Sequence, residues 1–150
     1  MKTISEGSTA PDFALPDENG AVVRLSDRVG HGPVVLFFYP AAMTGGCTQE
    51  ACTFRDLGQD FAAAGAQRLG ISADPVDRQK QFSEQHGFDY PLLSDESREV
   101  ATAYGVRRRF VTPVKRATFV IDQDLTIRKV IASELDMQVH AREALAALPG

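Results

Sequence analysis

The feature that most constrains the fold is an unbroken apolar run at residues 34–39, VVLFFY, bounded by Pro33 and Pro40. A strand exposed on one face alternates apolar and polar side chains, whereas an uninterrupted run is typical of a strand buried on both faces. Such a strand needs other elements packed above and below its sheet. The run therefore predicts a layered α/β domain.

The neighbouring segments alternate strand and helix patterns. Residues 12–25 predict a β-hairpin, because Asn19 and Gly20 both tolerate the positive φ of a tight turn. A helix is expected after the apolar run; it ends at Gly65, and its inner face is made of Phe54, Leu57 and Phe61.

Further strands are expected at 67–73, 89–93, 118–122 and 126–131, and further helices from Asp74-Pro75 to Gly87, at 96–104 and at 136–148. In the first of these helices Asp74 is expected to be the cap and Pro75 the first helical residue. The antiparallel pair near the end implies a mixed central sheet. We expect one domain over residues 1–150, in an order compatible with a thioredoxin-like fold.

Composition limits the partners. The net charge of −4 argues against a nucleic acid or an anionic membrane. Residues 1–6 contain no apolar signal segment, and apolar runs of about six residues are far shorter than the roughly 18 needed to cross a bilayer. We expect a cytoplasmic protein, in which Cys47 and Cys52 stay reduced. Redox chemistry, metal binding and core filling remain open for them.

Cys47 occupies a reactive position, between the buried strand and the first turn of the next helix. Unpaired N–H groups and the positive end of the helix dipole favour a thiolate there, and the thiolate is the nucleophilic form. The same N–H groups can hold a substrate oxygen on which negative charge develops. Thr44 can add a hydroxyl, and Pro40 can shield the sulfur from water.

Helical phase separates the two cysteines. Extending the apolar face backwards reaches Glu50 and Cys47, whereas Cys52 lies about 200° from Phe54 and faces away from the core. Five helical residues place the two Cα atoms roughly 8.5–9 Å apart. A disulfide needs about 4.4–6.8 Å. We therefore expect that oxidation unwinds the first helical turns.

Several segments together resemble the peroxiredoxin family. Pro40-x-x-x-Thr44-x-x-Cys47 is similar to its active-site signature, and residues 37–56, with Cys52 five positions on, resemble the peroxiredoxin Q group (bacterioferritin-comigratory-type proteins). Residues 116–122 resemble a second family landmark, an arginine that opens a late strand. Residues 12–17 and 90–95 also fit, so the resemblance covers essentially the whole chain.

The resemblance implies a thioredoxin-fold peroxidase that reduces hydrogen peroxide and organic hydroperoxides without a metal or bound cofactor. Cys47 would be the peroxidatic cysteine and Cys52 the resolving one, and thioredoxin or a similar dithiol would reduce their disulfide. The other implied site residues are Pro40, Thr44, Gly46 and Arg116, with Glu50 orienting the arginine. The group is often monomeric, and we expect a monomer here.

One position departs from this group, since Gly45 stands where proline is common. Together with Gly46 it gives the loop more freedom in the unfolded chain, at a cost of about 0.4–1 kcal/mol relative to a compatible proline. Gly45 is therefore expected to affect the rigidity of the peroxide pocket rather than its chemistry.

Simpler interpretations exist for the same residues. Cys47 can fill a core, Cys52 can be incidental, Arg116 can be a strand-end charge, and Glu50 can be an ordinary acid at a helix start. The spacing Cys-x4-Cys is unusual for structural zinc, and the three single histidines, His31, His86 and His140, are expected at the surface. The basic residues 107–109 predict a solvated loop or a dock for an acidic reductase.

Two other functions use the same features. A thiol–disulfide oxidoreductase or redox sensor would use both cysteines, although such proteins usually carry Cys-x-x-Cys. A binding module on a thioredoxin scaffold would leave the cysteines inert.

Overall fold

The apolar run forms the central strand of a five-stranded sheet in the computed structural model, which describes residues 2–149. The strands are β1 Ala14–Pro16, β2 Val22–Arg24, β3 Val34–Phe38, β4 Gln67–Ser72, β5 Leu92–Ser94, β6 Ala117–Ile121 and β7 Ile127–Ala132. The helices are α1 Leu25–Arg28, α2 Gly45–Asp56, α3 Gly58–Ala63, α4 Val76–His86, α5 Glu99–Ala103 and α6 Met137–Ala146. A 3-10 turn follows α1 at Val29–His31.

The sheet is mixed, with strand order β5-β4-β3-β6-β7. β3 pairs in parallel with β4 and antiparallel with β6, and every residue of β3 is buried. β1 and β2 form a separate antiparallel hairpin. The predicted α/β class, mixed sheet and N-terminal hairpin are confirmed.

Alternate side chains of β3 enter two apolar clusters, one on each face of the sheet. Leu36 and Phe38 belong to the cluster that also contains Tyr104 and Phe119. Val35 and Phe37 belong to the other, which includes aromatic residues of α2, α3 and α4 and also the sulfur of Cys47. In that second cluster Phe37 stacks on Phe54, with ring centroids 4.1 Å apart. This contact fixes α2 against the sheet.

The sheet register determines where the site forms. Phe38 at the end of β3 is paired with Ala117 at the start of the antiparallel β6. Arg116, which directly precedes β6, therefore lies at the edge of the sheet where the chain leaves β3. The loop after β3 leads into α2, so the first turn of α2 starts at the same edge.

Two local expectations were wrong. The helix expected to run to Gly65 is divided in two, because Leu57 leaves the helical conformation between α2 and α3. Asp74 does not cap α4, whose N-cap is Pro75. Its carboxylate instead accepts hydrogen bonds from the Ala42 N–H at 2.7 Å and the Ser72 hydroxyl at 2.7 Å. Asp74 thus stabilises the loop before α2.

Between residues 2 and 149, no helix is long and apolar enough to cross a membrane.

Candidate active site

The loop between β3 and α2 has a constrained backbone. Met43 has a φ of 65°, a left-handed conformation that costs a residue with a side chain roughly 1–3 kcal/mol. The carboxylate of Asp74 holds the Ala42 N–H on one side of it, and the Thr44 hydroxyl donates to the Ala41 carbonyl, 2.9 Å away, on the other. These contacts fix the direction in which α2 begins.

Cys47 is the third residue of α2 and is only 1% exposed. Its Sγ lies 3.2 Å from Nη2 of Arg116, which donates a hydrogen bond to it. A guanidinium keeps its charge at any physiological pH, so it stabilises negative charge on the sulfur. The helix N-terminus acts in the same direction. The expected inward-facing, first-turn position of Cys47 is confirmed.

Arg116 is held by a second partner. Its Nη1 donates to Oε1 of Glu50 at 2.8 Å, one helical turn after Cys47. Glu50 is fully buried, and its burial raises its pKa to about 8, although the attraction of Arg116 acts in the opposite direction. The two ends of the guanidinium thus bridge the cysteine and the carboxyl group of the same helix.

A further buried polar group lies behind Glu50. Nδ1 of His140 is 3.6 Å from Oε2 of Glu50 and 2.9 Å from the Thr118 hydroxyl. Nε2 of His140 lies 2.8 Å from the Ser133 carbonyl oxygen. The expectation that all three histidines lie at the surface was therefore wrong for His140, which is completely buried.

The sequence did contain a signal for this histidine. The buried residues of α6 are Met137, His140, Ala141 and Ala144, which follow the i, i+3, i+4, i+7 spacing of an inward helical face. A histidine inside such a stripe needs polar partners within the core.

Glu134 is a second residue that the sequence did not single out. Its Oε1 accepts the backbone N–H of Arg116 at 3.1 Å and the side chain of Arg108 at 2.9 Å. Arg108 is therefore paired, whereas its neighbours Arg107 and Arg109 are exposed. The basic run lies on the loop that leads directly to Arg116.

The remaining predicted site residues lie in the loop between β3 and α2 and in the first turn of α2. Pro40 is half-buried and Thr44, the N-cap of α2, is exposed. A Cβ on Gly46 would lie 3.4 Å from both Nη2 of Arg116 and Sδ of Met137. Gly46 thus leaves room beside the guanidinium that a side chain would reduce.

Cys52 also lies on α2, and the thiols of Cys47 and Cys52 are both free. It is half-buried and packs on the border of the second apolar cluster, so the expectation that it faces away from the core is only partly correct. Burial raises the pKa of the Cys52 thiol. In this state it is a protonated thiol separated from Cys47 by an intact helix.

Between residues 2 and 149, the side chains that commonly bind metals do not cluster. In the part of the chain that the structure describes, no three His, Cys, Asp or Glu residues form a group that could hold a metal ion.

A cysteine at a helix N-terminus, bonded to a buried arginine at the edge of a thioredoxin-like sheet, defines the site of a thiol-based redox enzyme. Residues 7–130 match the model of the AhpC/TSA family, and the chain belongs to that family.

Similar proteins agree with this assignment. Rv1608c of Mycobacterium tuberculosis, which carries a peroxiredoxin name, is 56% identical over 151 residues that span 99% of this chain and 96% of its own. The crystal structure of peroxidoxin BcpB from Mycobacterium tuberculosis superposes with a TM-score of 0.91 and 55% identity, covering 95% of this chain and 94% of that one.

A structure of Xanthomonas campestris peroxiredoxin Q matches with a TM-score of 0.83 and 30% identity, over 90% of this chain and 88% of that one. The expected thioredoxin-like peroxiredoxin fold and the resemblance to the peroxiredoxin Q group are confirmed. The chain is a thiol-dependent peroxidase, an enzyme class whose substrate is a peroxide and whose reductant is a thioredoxin-type dithiol.

The structure leads to a prediction for Gly45, the first residue of α2. Thr44 before it is extended, with φ −86° and ψ 158°, and no atom lies within 4 Å of a Cβ at position 45. Proline is favoured at the first helical position, whose N–H has no intrahelical partner. Gly45→Pro should raise the free energy of unfolding by about 0.4–1 kcal/mol, measured by urea denaturation of the reduced protein.

The same substitution at Gly20 is the matched control. Its φ of 81° is closed to proline, so Gly20→Pro should destabilise the protein. A Gly45→Pro variant that unfolds at lower urea than the wild type would contradict the loop geometry described above.

A second prediction concerns α2 on oxidation. Since two cysteines five helical residues apart cannot form a disulfide, the amides of residues 47–55 should exchange hydrogen faster in the oxidised than in the reduced protein. Hydrogen exchange read by mass spectrometry measures this. Helix α4 should serve as the internal reference, with equal protection in both states. Equal protection of residues 47–55 would rule out the opening of α2.

Proposed function

We propose that Cys47 is the sulfur that attacks the peroxide, and that Cys52 resolves the oxidised product as an intramolecular disulfide. The observation that carries this proposal is the 3.2 Å contact between Cys47 Sγ and Arg116 Nη2. A buried sulfur beside a fixed positive charge can react as a thiolate. The raised pKa of Cys52, caused by burial, supports the division of roles.

In the first step the Cys47 thiolate attacks the terminal oxygen of the peroxide. An S–O bond forms as the O–O bond breaks, and the leaving alkoxide or hydroxide takes a proton from water. Cys47 becomes a sulfenic acid and the peroxide becomes an alcohol or water. Arg116 stabilises negative charge on the sulfur and then on the leaving oxygen.

Around the sulfur, we propose that the Thr44 hydroxyl and the Gly46 N–H bind the peroxide and that Pro40 limits access of water. The support is that these residues surround the first turn of α2, where N–H groups lack intrahelical acceptors.

In the second step the Cys52 thiol condenses with the sulfenic acid. The S–S bond forms, the sulfenic oxygen leaves as water with the thiol proton, and α2 must open for the sulfurs to meet. A thioredoxin-type dithiol then reduces the disulfide by exchange, and its own two thiols are oxidised. Exposed Arg107 and Arg109, on the loop that leads to Arg116, would favour an acidic reductant surface.

We also propose that the protein acts as a cytoplasmic monomer made of one domain, with no nucleic-acid or membrane partner. The support is the acidic net charge of −4 and the presence of both apolar clusters on a single sheet. Sedimentation equilibrium of the reduced and oxidised protein tests the monomer.

Cysteine variants test the two roles. Peroxide consumption is followed with thioredoxin and its reductase as the recycling system. Cys47→Ser should abolish turnover, because the serine hydroxyl is not a nucleophile at neutral pH. Cys52→Ser should consume about one equivalent of peroxide and then stop, because the sulfenic acid has no resolving partner.

A small monothiol provides the control. It should restore turnover of Cys52→Ser, by attacking the sulfenic acid, and should not restore Cys47→Ser. Full turnover by Cys47→Ser with thioredoxin would contradict the assignment of Cys47. Full turnover by Cys52→Ser without an added thiol would show that Cys52 does not resolve.

A further inference from the structure

The side chain of His140 is completely buried, 3.6 Å from a carboxyl group that touches the catalytic arginine, and nothing in the peroxidase cycle described above uses it. Its hydrogen bonds determine its tautomer. The Ser133 carbonyl oxygen, 2.8 Å from Nε2, can only accept, so Nε2 carries a hydrogen. In neutral His140 the lone pair of Nδ1 therefore faces Thr118 and Glu50.

The carboxyl group of Glu50 directs its oxygen Oε2 toward this Nδ1 atom. Its Oε1 accepts from Arg116, but its Oε2 is buried and has no hydrogen-bond partner among the described residues. Nδ1 of His140 lies 3.6 Å from Oε2, slightly beyond hydrogen-bond distance. An ionised carboxylate with one unsatisfied oxygen facing a nitrogen lone pair is costly in a buried site. One proton on either atom removes that conflict.

The charge balance around Arg116 also favours one proton on the pair formed by Glu50 and His140. The guanidinium carries one positive charge and contacts two groups that can be negative, Cys47 and Glu50. If both were ionised beside a neutral His140, this buried cluster would hold a net charge of −1. If Glu50 and His140 hold one proton between them, the cluster with a Cys47 thiolate is neutral. The buried thiolate is therefore compatible with a protonated pair.

We propose that Glu50 and His140 retain one shared proton during peroxide reduction, and that His140 is thereby a positioning residue that leaves the charge of Arg116 to the Cys47 sulfur. Both side chains are fully buried, so this proton is held in place and is not delivered to the peroxide. This inference rests on the peroxidase roles of Cys47 and Arg116 proposed above.

The surroundings indicate where the proton resides. The titratable or charged groups that face the pair are Cys47 on α2, Tyr90 before β5, Arg116 before β6, and Glu134 and Asp136 between β7 and α6. Burial lowers the pKa of His140, and the positive N-terminus of α6 also opposes an imidazolium there. Burial raises the pKa of Glu50 to about 8. Both shifts favour the neutral acid of Glu50 over an imidazolium at His140.

The rate of Cys47 oxidation should therefore fall above pH about 8, where the pair loses its proton. We call this fall in the pH–rate profile the alkaline limb. The added negative charge competes with the thiolate for Arg116, so oxidation of Cys47 should slow by about tenfold. Stopped-flow oxidation of the Cys52→Ser protein by hydrogen peroxide measures this single step without recycling.

Glu50→Gln in the same background imitates the protonated acid. It should lose the alkaline limb, since the amide does not titrate. If another group causes the limb, the limb should persist unchanged in Glu50→Gln. That outcome would overturn the proposal.

His140→Gln can still donate to the Ser133 carbonyl but cannot take up a proton. It should move the alkaline limb about one pH unit lower, because Glu50 alone holds the proton less tightly. His31→Gln, at an exposed histidine, is the matched control and should leave the profile unchanged. A His140→Gln variant that is less stable but has an unmoved alkaline limb would show a purely structural role.

A direct reading of the proton does not depend on activity or on the folding of a His140 variant. For the reduced wild-type protein at pH 7, we expect an infrared carbonyl band of a protonated carboxyl group that Glu50→Gln removes, or the nitrogen-15 resonances of an imidazolium at His140. Either signature supports the shared proton. A carboxylate at Glu50 together with a neutral His140 would overturn the shared proton, even in a fully active peroxidase. Loss of peroxidase activity with either signature intact would instead count against the roles of Cys47 and Arg116.

Discussion

The contact of Arg116 with both Cys47 and Glu50 is the interaction on which the rest of the site depends. One end of the guanidinium lies 3.2 Å from the sulfur and the other 2.8 Å from the carboxyl oxygen. Because both partners project from the same face of α2, one helical turn apart, the arginine joins this helix to the start of β6. Losing either contact leaves a buried polar group without its partner, which is unfavourable.

The fold positions Arg116 and α2 so that this contact can form. The antiparallel register of β3 and β6 places Arg116 at the edge of the sheet where α2 begins. Stacking of Phe54 on Phe37 sets the distance between α2 and the sheet, and the strained Met43, held between contacts made by Asp74 and Thr44, sets the direction of the helix. The same helix must open for Cys52 to reach Cys47. In the proposed cycle, stability of α2 therefore favours the first chemical step and opposes the second.

Much of this could be predicted from the sequence because the signals were local. The uninterrupted run at 34–39 predicts a buried strand, and the helical spacing of Cys47, Glu50 and Phe54 predicts which side chains face inward. The contact of Arg116 with the site depended on a family resemblance, because only the sheet register brings residues 47 and 116 together. The role of Asp74 could not be predicted, because its position before Pro75 equally suits a helix cap.

His140 was missed for a different reason. A single histidine is common at protein surfaces, and only its place among Met137, Ala141 and Ala144 indicates burial. Its partners Thr118 and Ser133 are 15 residues apart in the chain and meet only where β6 starts beside the end of β7, so the network with Glu50 forms only in the folded protein. Long-range polar contacts of this kind are set by packing rather than by local pattern.

We propose that Cys47, and not Cys52, is the thiolate that attacks the peroxide. The most direct measurement is chemical trapping of the sulfenic acid, with a carbon nucleophile, in wild-type protein treated with one equivalent of hydrogen peroxide and digested for mass spectrometry. The label should appear on Cys47 when trapping outpaces disulfide formation, and Cys52 should stay unlabelled. Labelling of Cys52 with Cys47 unmodified would contradict it.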